Sequence, residues 1–290
     1  MEVVDVAHDG IPDVHSEKPP FELDVDNVGL RGLRGPIMKI REYMVIPVFK
    51  VSVSLPASFR GAHLSRLYRA YTGVVKPGAE LTMDLLRQLA IRLLEVNEYA
   101  VRAMVSVKGR LYHTVDRGGV PEYSSNGFIY AGVRYERGGS VSEYTGGGIY
   151  GLTTCPCAGA VSRHIYGEPY THMQKVRINA YIKSSKTLIE PIEVFEKLNT
   201  VVYTPRNYLK RIEEAEFVKM IYEKPLFTED IARLAAVKLA ELVANHGISG
   251  PDGILYVSVR SYETIHEYIV ESIVRTRLTD IAGFKIINKT

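Results

Sequence analysis

Cysteine is scarce in this chain: two in 290 residues, Cys155 and Cys157, with a single proline between them. Thiols this close cannot make an ordinary long-range disulfide, so a disulfide-stapled scaffold is excluded and both are left for metal binding or chemistry in a reducing compartment. Long apolar runs are also missing, and none approaches the roughly 20 residues that a membrane-spanning helix needs. The opening stretch, MEVVDVAHDGIPDVHSEKPP, lacks the basic start and apolar centre of a secretory signal, which makes the cytoplasm the expected location. Net charge is small, +3, and gives no ground for a nucleic-acid partner, although a local basic pocket for an anionic metabolite is compatible with it.

What is present is an ordinary globular composition, 46% apolar and 24% charged, in a length suited to two small domains or one large unit. Residues 1–35 carry prolines, glycines and acids without a sustained period and read as an extended arm. Alternation over Tyr43 to Leu55 predicts a strand, and alternation from Val101 to Val107 another. Between them lie a short helix ending near Tyr71 and a second helix capped by Thr82, with Leu85, Leu86, Leu89, Leu93 and Val96 at helical spacing.

The second half repeats the order. Phe128 to Glu136 and Gly148 to Thr154 read as strands flanking a glycine-rich turn, and Val176 to Ile182 as a third. Helices follow near Glu190 to Leu198, over Tyr208 to Met220, and from Thr228 to the stop at Gly247; Ile254 to Val259 returns to strand, and Ile269 to Leu278 is either helix or strand. No residue-level repeat is visible, but the duplicated order of antiparallel strands and helices predicts an α+β protein with helices on one face. The expected division is an arm over 1–35, a first unit over 36–118 and a second over 119–290.

The chemistry centres on Thr153 to Gln174, TTCPCAGAVSRHIYGEPYTHMQ, which holds both cysteines with His164 and His172 behind them. Soft thiolate and imidazole donors suit a transition metal, and the plain alternative is a pair of buried structural cysteines. The Gly146–Gly148 triplet and Pro156 suggest a tight, irregular backbone. One Cys-Pro-Cys and one histidine are too few for a closed structural site, so a metal here needs a ligand from elsewhere and keeps an open position.

Four further clusters carry functional side chains. Arg60, His63, Ser65 and Arg66 stand between a strand end and a helix start, where guanidinium forks and free N–H groups bind anions, or where a solvated loop merely caps a helix. Lys210 to Glu216 is acid-rich, either a solvated helix face or a source of the missing ligand. Glu229 opens a helix, where a carboxylate favours the dipole or pairs with the donor edge of a guanine or pterin. Glu263 and His266, three apart, would share a face if helical and could act as an acid/base unit.

Together the segments VGLRGLRGPI (28–37), RGAHLSR (60–66), TCPCA (154–158), THMQ (171–174), FTED (227–230) and ETIH (263–266) resemble the GTP cyclohydrolases of the bacterial type IB and archaeal methanopterin-pathway group, which use the tunnelling fold, or T-fold. The resemblance runs from about residue 28 to 268 and implies two tandem T-fold units in a homo-oligomer with active sites at subunit interfaces. It implies Cys155, His172 and Glu214 as ligands of one divalent metal, Fe(II) before Mn(II) or Zn(II), with Glu213 the alternative to Glu214 as third ligand. Glu229 would anchor the substrate GTP, Arg60, His63 and Arg66 would hold its triphosphate end, and Glu263 and His266 would move protons, with Cys155 at the reacting centre. Activated water would then attack C8 of GTP, with formate lost and 7,8-dihydroneopterin 2′,3′-cyclic phosphate (archaeal pattern) or the triphosphate (bacterial pattern) as product. Tyr268 stands where the family often has a second histidine, and the Cys155–His172 gap is wider than in bacterial members. The alternatives are a related pterin or deazapurine enzyme with a nucleophilic cysteine, or a non-catalytic purine-binding oligomer.

Overall fold

Alternating apolar and polar side chains become strands with one buried and one open face. A computed structural model describes residues 14–117, 120–125, 127–185, 189–248 and 253–281. The elements run β1 (Val25–Arg34), β2 (Met38–Ile40), β3 (Tyr43–Leu55), α1 (Leu64–Val74), α2 (Met83–Glu95), β4 (Arg102–Arg117), β5 (Val120–Ser124), β6 (Gly127–Glu136), β7 (Val141–Thr154), α3 (Pro156–Tyr166), β8 (Met173–Ser184), α4 (Pro191–Leu198), α5 (Arg211–Glu223), α6 (Thr228–Asn245), β9 (Ile254–Tyr262), β10 (Ile269–Arg277) and α7 (Leu278–Ile281). The sheet is antiparallel with the order β1-β3-β4-β6-β7-β8-β9-β10, β2 pairing with β3 and β5 with β4. This is the expected α+β class.

Along β3, Val45, Phe49 and Val51 point into the core while Ile46, Val48 and Lys50 face outward. The inner face is covered by α2 against β4 and β6, α4 against β7, and α6 against β9 and β10. The hydroxyl of Thr82 accepts from the Leu85 N–H at 3.1 Å, so α2 starts where its capping residue predicts. Arg87 of α2 forks onto the fully buried carboxylate of Glu143 in β7, Nε to Oε1 at 2.6 Å and Nη2 to Oε2 at 2.9 Å, tying helix to sheet.

Several expectations are corrected. Gly146, Gly147 and Gly148 lie inside β7, and the β6–β7 turn falls at residues 137–140. A side chain at Gly146 would meet the Tyr130 ring and the Ala180 carbonyl, and one at Gly148 the Phe128 ring, so these glycines permit close packing on the strand. The Cys-Pro-Cys stretch is helical: Cys155 is the N-cap of α3, Pro156 occupies its first turn, and Gly167 closes it with φ of 82°. Within the stretch read as an arm, Val25–Arg34 is a strand paired with β3. Ile269–Arg277, open between helix and strand in the sequence, is strand and pairs along its length with β9. The 118/119 boundary lies outside the described residues.

Candidate active site

The register of β7 and β8 brings Cys155 and His172 together. Thr154 pairs with Met173 as the last rung of the ladder. One step beyond, the Cys155 N–H donates to the His172 carbonyl at 3.2 Å, and the Thr171 hydroxyl donates to the Cys155 carbonyl at 2.7 Å. The Cys155 sulfur, half-buried, accepts from the Ala158 N–H at 3.4 Å as the helix cap. Cys157 is exposed, so neither thiol is a core filler. His164 lies in the last turn of α3, away from this junction, and the Ser162 hydroxyl folds the α3–β8 connection by donating to the Glu168 carbonyl at 2.7 Å and accepting from the Tyr170 N–H at 3.0 Å.

The next strand contributes the carboxylate. Glu263 follows the end of β9 and accepts from the Ser261 hydroxyl at 2.7 Å and from Gln174 Nε2 at 3.3 Å. Thr264 Oγ1 lies 3.4 Å from Nδ1 of His172. Residues 263–268 form a non-helical connection, so Glu263 and His266 do not share a helix face: Glu263 turns to Gln174, while His266 stacks on Tyr268 with ring centroids 4.9 Å apart. One buried oxygen here, Oε1 of Gln174, has no hydrogen-bond partner among the described residues. An unsatisfied buried acceptor beside the Glu263 carboxylate marks a place for a polar ligand.

Glu229 reaches this end through α6. The Thr153 hydroxyl donates to the Leu226 carbonyl at 2.9 Å and accepts from the Leu226 N–H at 3.2 Å, which pins the start of α6 to the end of β7. Thr228 accepts from the Ser272 hydroxyl at 3.0 Å and donates to Glu229 at 2.9 Å. The Glu229 backbone N–H, followed by the Thr228 hydroxyl, holds its carboxyl below the ordinary glutamate range, so it stays anionic.

A cavity of about 560 Å³, the size of a small-molecule pocket, opens beside Cys155 and is also lined by Arg163, Thr171, Lys219, Tyr222 and Glu223. Sequence reasoning missed Arg163, Lys219 and Tyr222; the one available signal was their proximity in sequence to the Cys-Pro-Cys and acid-rich segments. Glu214 does not line it. It is exposed in the first turn of α5, roughly 13 Å along the helix from Glu223 at about 1.5 Å per residue. Cys155 and His172 carry donor types that suit a transition metal, and their backbones meet at this junction. Among the described residues no group of three His, Cys, Asp or Glu side chains is arranged to hold one.

Arg60, His63 and Arg66 stand elsewhere. They follow the end of β3, whose Val53 is level, through Ala103 and Tyr135, with Val141 at the start of β7. Cys155 lies past the other end of β7, roughly 45 Å away along the strand at about 3.3 Å per residue. Arg60 pairs with Glu17 at 2.5 Å, and the His63 ring lies 5.0 Å from that of His15.

A long antiparallel sheet backed by helices, with Cys155, His172 and Glu263 where β7, β8 and β9 end, is an α+β tunnelling fold with its candidate site at that end. Comparison with known proteins agrees at the level of fold and family. The hyper-thermostable AgUricase mutant, 12% identical, superposes with a TM-score of 0.50 over 88% of this chain and 93% of its own, a likeness of fold alone. The chain belongs to the type I GTP cyclohydrolase folE2 family, whose model matches residues 11–271. Relatives include the GTP cyclohydrolase MptA of Aeropyrum pernix, 28% identical over 93% of this chain and 97% of that protein, and that of Thermoplasma volcanium, 27% over 93% and 96%. The GTP cyclohydrolase FolE2 of Staphylococcus epidermidis is 27% identical over 88% of this chain and 85% of its own. No helix among the described residues is long and apolar enough to cross a membrane.

Proposed function

We propose that this chain is a metal-dependent GTP cyclohydrolase that opens the imidazole ring of GTP and releases formate. The observation that carries the proposal is the junction of Cys155 and His172 across the last hydrogen bond of the β7–β8 ladder, with Glu263 held beside it by Gln174. Family membership supplies the substrate class.

Cys155 and His172 would hold one divalent metal, Fe(II) before Mn(II) or Zn(II), with Glu214 as the third ligand the resemblance implies, although it does not line the cavity beside Cys155 in this chain. Such an ion supplies Lewis acidity and lowers the pKa of a bound water. Glu229, kept anionic at the start of α6, pairs with the N–H edge of guanine. Glu263 would take and return a proton during ring opening, and His266 would be the second proton carrier. The product is a 7,8-dihydroneopterin, as its 2′,3′-cyclic phosphate or its triphosphate.

A homo-oligomer belongs to this reading, since Arg60, His63 and Arg66 of one copy stand at the far end of the sheet from its own Cys155 and would serve the triphosphate of a neighbour's site. A cytoplasmic location keeps the thiols reduced. The test is anaerobic formate release from GTP after reconstitution with Fe(II), Mn(II) or Zn(II), with the product weighed by mass spectrometry. Metal-dependent formate supports the proposal. Full activity after chelation points instead to a nucleophilic cysteine, and GTP binding without formate to a non-catalytic oligomer. Metal content of Glu214→Gln and Glu223→Gln separates the two α5 carboxylates, with loss expected for the first.

A further inference from the structure

Three cations cluster on the face of the sheet turned away from the helices. Arg31 of β1 lies directly opposite Lys50 of β3. Lys50 pairs with Ser106 of β4, which places Lys108, two residues on, at its diagonal. All three are exposed, and none is ion-paired to a carboxylate among the described residues. The acid of β6 on this face, Glu136, is taken by Arg134 at 2.7 Å. Like charges directly opposed on neighbouring strands destabilise a sheet, so this cluster is unfavourable until an anion lies across it.

Two confluent cavities occupy the same place. One, of about 740 Å³, contains the cations, and the other, of about 600 Å³, is lined by Tyr130, Tyr144 and Tyr181 with Lys183 at its edge; Lys50, Ser106, Tyr130 and Tyr144 border both. Burial pushes the hydroxyls of Tyr130 and Tyr144 up, so these rings stay neutral. The site is separate from the catalytic end: Tyr144 is roughly 35 Å along β7 from Cys155 at about 3.3 Å per residue.

We propose that this face is a second, non-catalytic nucleotide site, with the phosphate chain of a nucleoside triphosphate across Arg31, Lys50 and Lys108 and its base against the tyrosine-lined half. The lysines supply point charges for phosphate, and the aromatic rings a surface on which a base stacks. Being exposed, the charges are screened by salt over about 8–10 Å, so binding weakens several-fold between 50 and 200 mM NaCl.

The experiment is equilibrium dialysis of the full-length, chelator-treated protein with labelled GTP, ATP and inorganic tripolyphosphate, beside Lys50→Glu/Lys108→Glu. The wild type is expected to bind about two GTP per chain and the double variant about one, while the variant keeps formate release at saturating GTP within about twofold. A single Lys50→Gln protein is expected to melt no lower than the wild type, since it relieves the repulsion with Arg31 directly opposite. One GTP per chain in the wild type and none in the variant would leave this site standing and remove the catalytic one. A GTP count unchanged by the double variant overturns the proposal. So does tripolyphosphate binding as tightly as GTP, or a single-stranded oligonucleotide binding more tightly.

Discussion

The N–H of Cys155 and the carbonyl of His172 share a hydrogen bond of 3.2 Å, one step past the last paired residues of β7 and β8. The backbones of the two residues are therefore brought together by a sheet ladder, although 17 positions separate them in the chain. Cys155 also caps α3 through its sulfur. Serine is a good N-cap, so Cys155→Ser keeps the helix start and removes only the thiolate, whereas Cys155→Ala loses the cap as well, about 1 kcal/mol. We expect Cys155→Ser and His172→Ala each to lower both metal affinity and formate release by about 100-fold or more. Thermal melting of Cys155→Ser should stay within a few degrees of wild type; metal analysis beside calorimetry checks both.

Gln174 is a positioning residue for Glu263. It donates at 3.3 Å to the carboxylate, and its own carbonyl oxygen is buried without a protein partner. Gln174→Leu removes that donor, and the Glu263 side chain is then held by Ser261 alone. Losses of 10- to 100-fold are usual when a group supporting a site is removed. We expect a loss of that order in kcat with KM within about twofold. A matching rise in KM with kcat unchanged would assign Gln174 to substrate binding instead.

The carboxyl of Glu229 is held below its ordinary range, first by its own backbone N–H and then by Thr228. A depressed folded pKa gives a contribution to stability that is present above the ordinary glutamate value and lost as pH falls through the depressed one. Because the group is exposed, the effect on stability is small and the effect on GTP binding is the one to measure. Carbon NMR of the carboxyl is expected to show a midpoint below that of an unstructured glutamate. Thr228→Val should move it up, and GTP affinity should then begin to fall at a higher pH than in the wild type.

The fold depends on a buried ion pair remote from the chemistry. Arg87 and Glu143 make a two-bond fork between α2 and β7, with the Glu143 side chain fully buried. Removing Arg87 takes this fork away from the buried carboxylate, and breaking such a pair costs about 3–5 kcal/mol. Arg87→Met should lose stability of that order in urea unfolding, and Arg87→Met/Glu143→Leu together should lose less.

Much of this was legible in the sequence because it is periodic. Alternation placed β3, β8 and β9, and Thr82 marked the start of α2. The misread elements are those where local signals compete with packing. The glycines of β7 look like a turn, yet they are strand residues because Tyr130, Phe128 and Phe195 fill the space their side chains would take. Pro156 looks like a breaker, yet it sits in a first helical turn, where its missing N–H costs nothing. At the site, the Cys155–His172 pair and the segment holding Glu263 were found by motif. Long-range geometry was not: a linear chain does not reveal that Arg60 and Cys155 lie at opposite ends of one sheet, or that Lys219 and Tyr222 rather than Glu214 face the cavity.

The central claim is that the thiolate of Cys155 and the ring of His172 ligate one metal. X-ray absorption at the metal edge of protein reconstituted without oxygen tests it most directly. We expect a first shell with one sulfur at about 2.3 Å beside nitrogen and oxygen donors, and loss of the sulfur scatterer in Cys155→Ser. A first shell without sulfur in the active wild-type enzyme would contradict it.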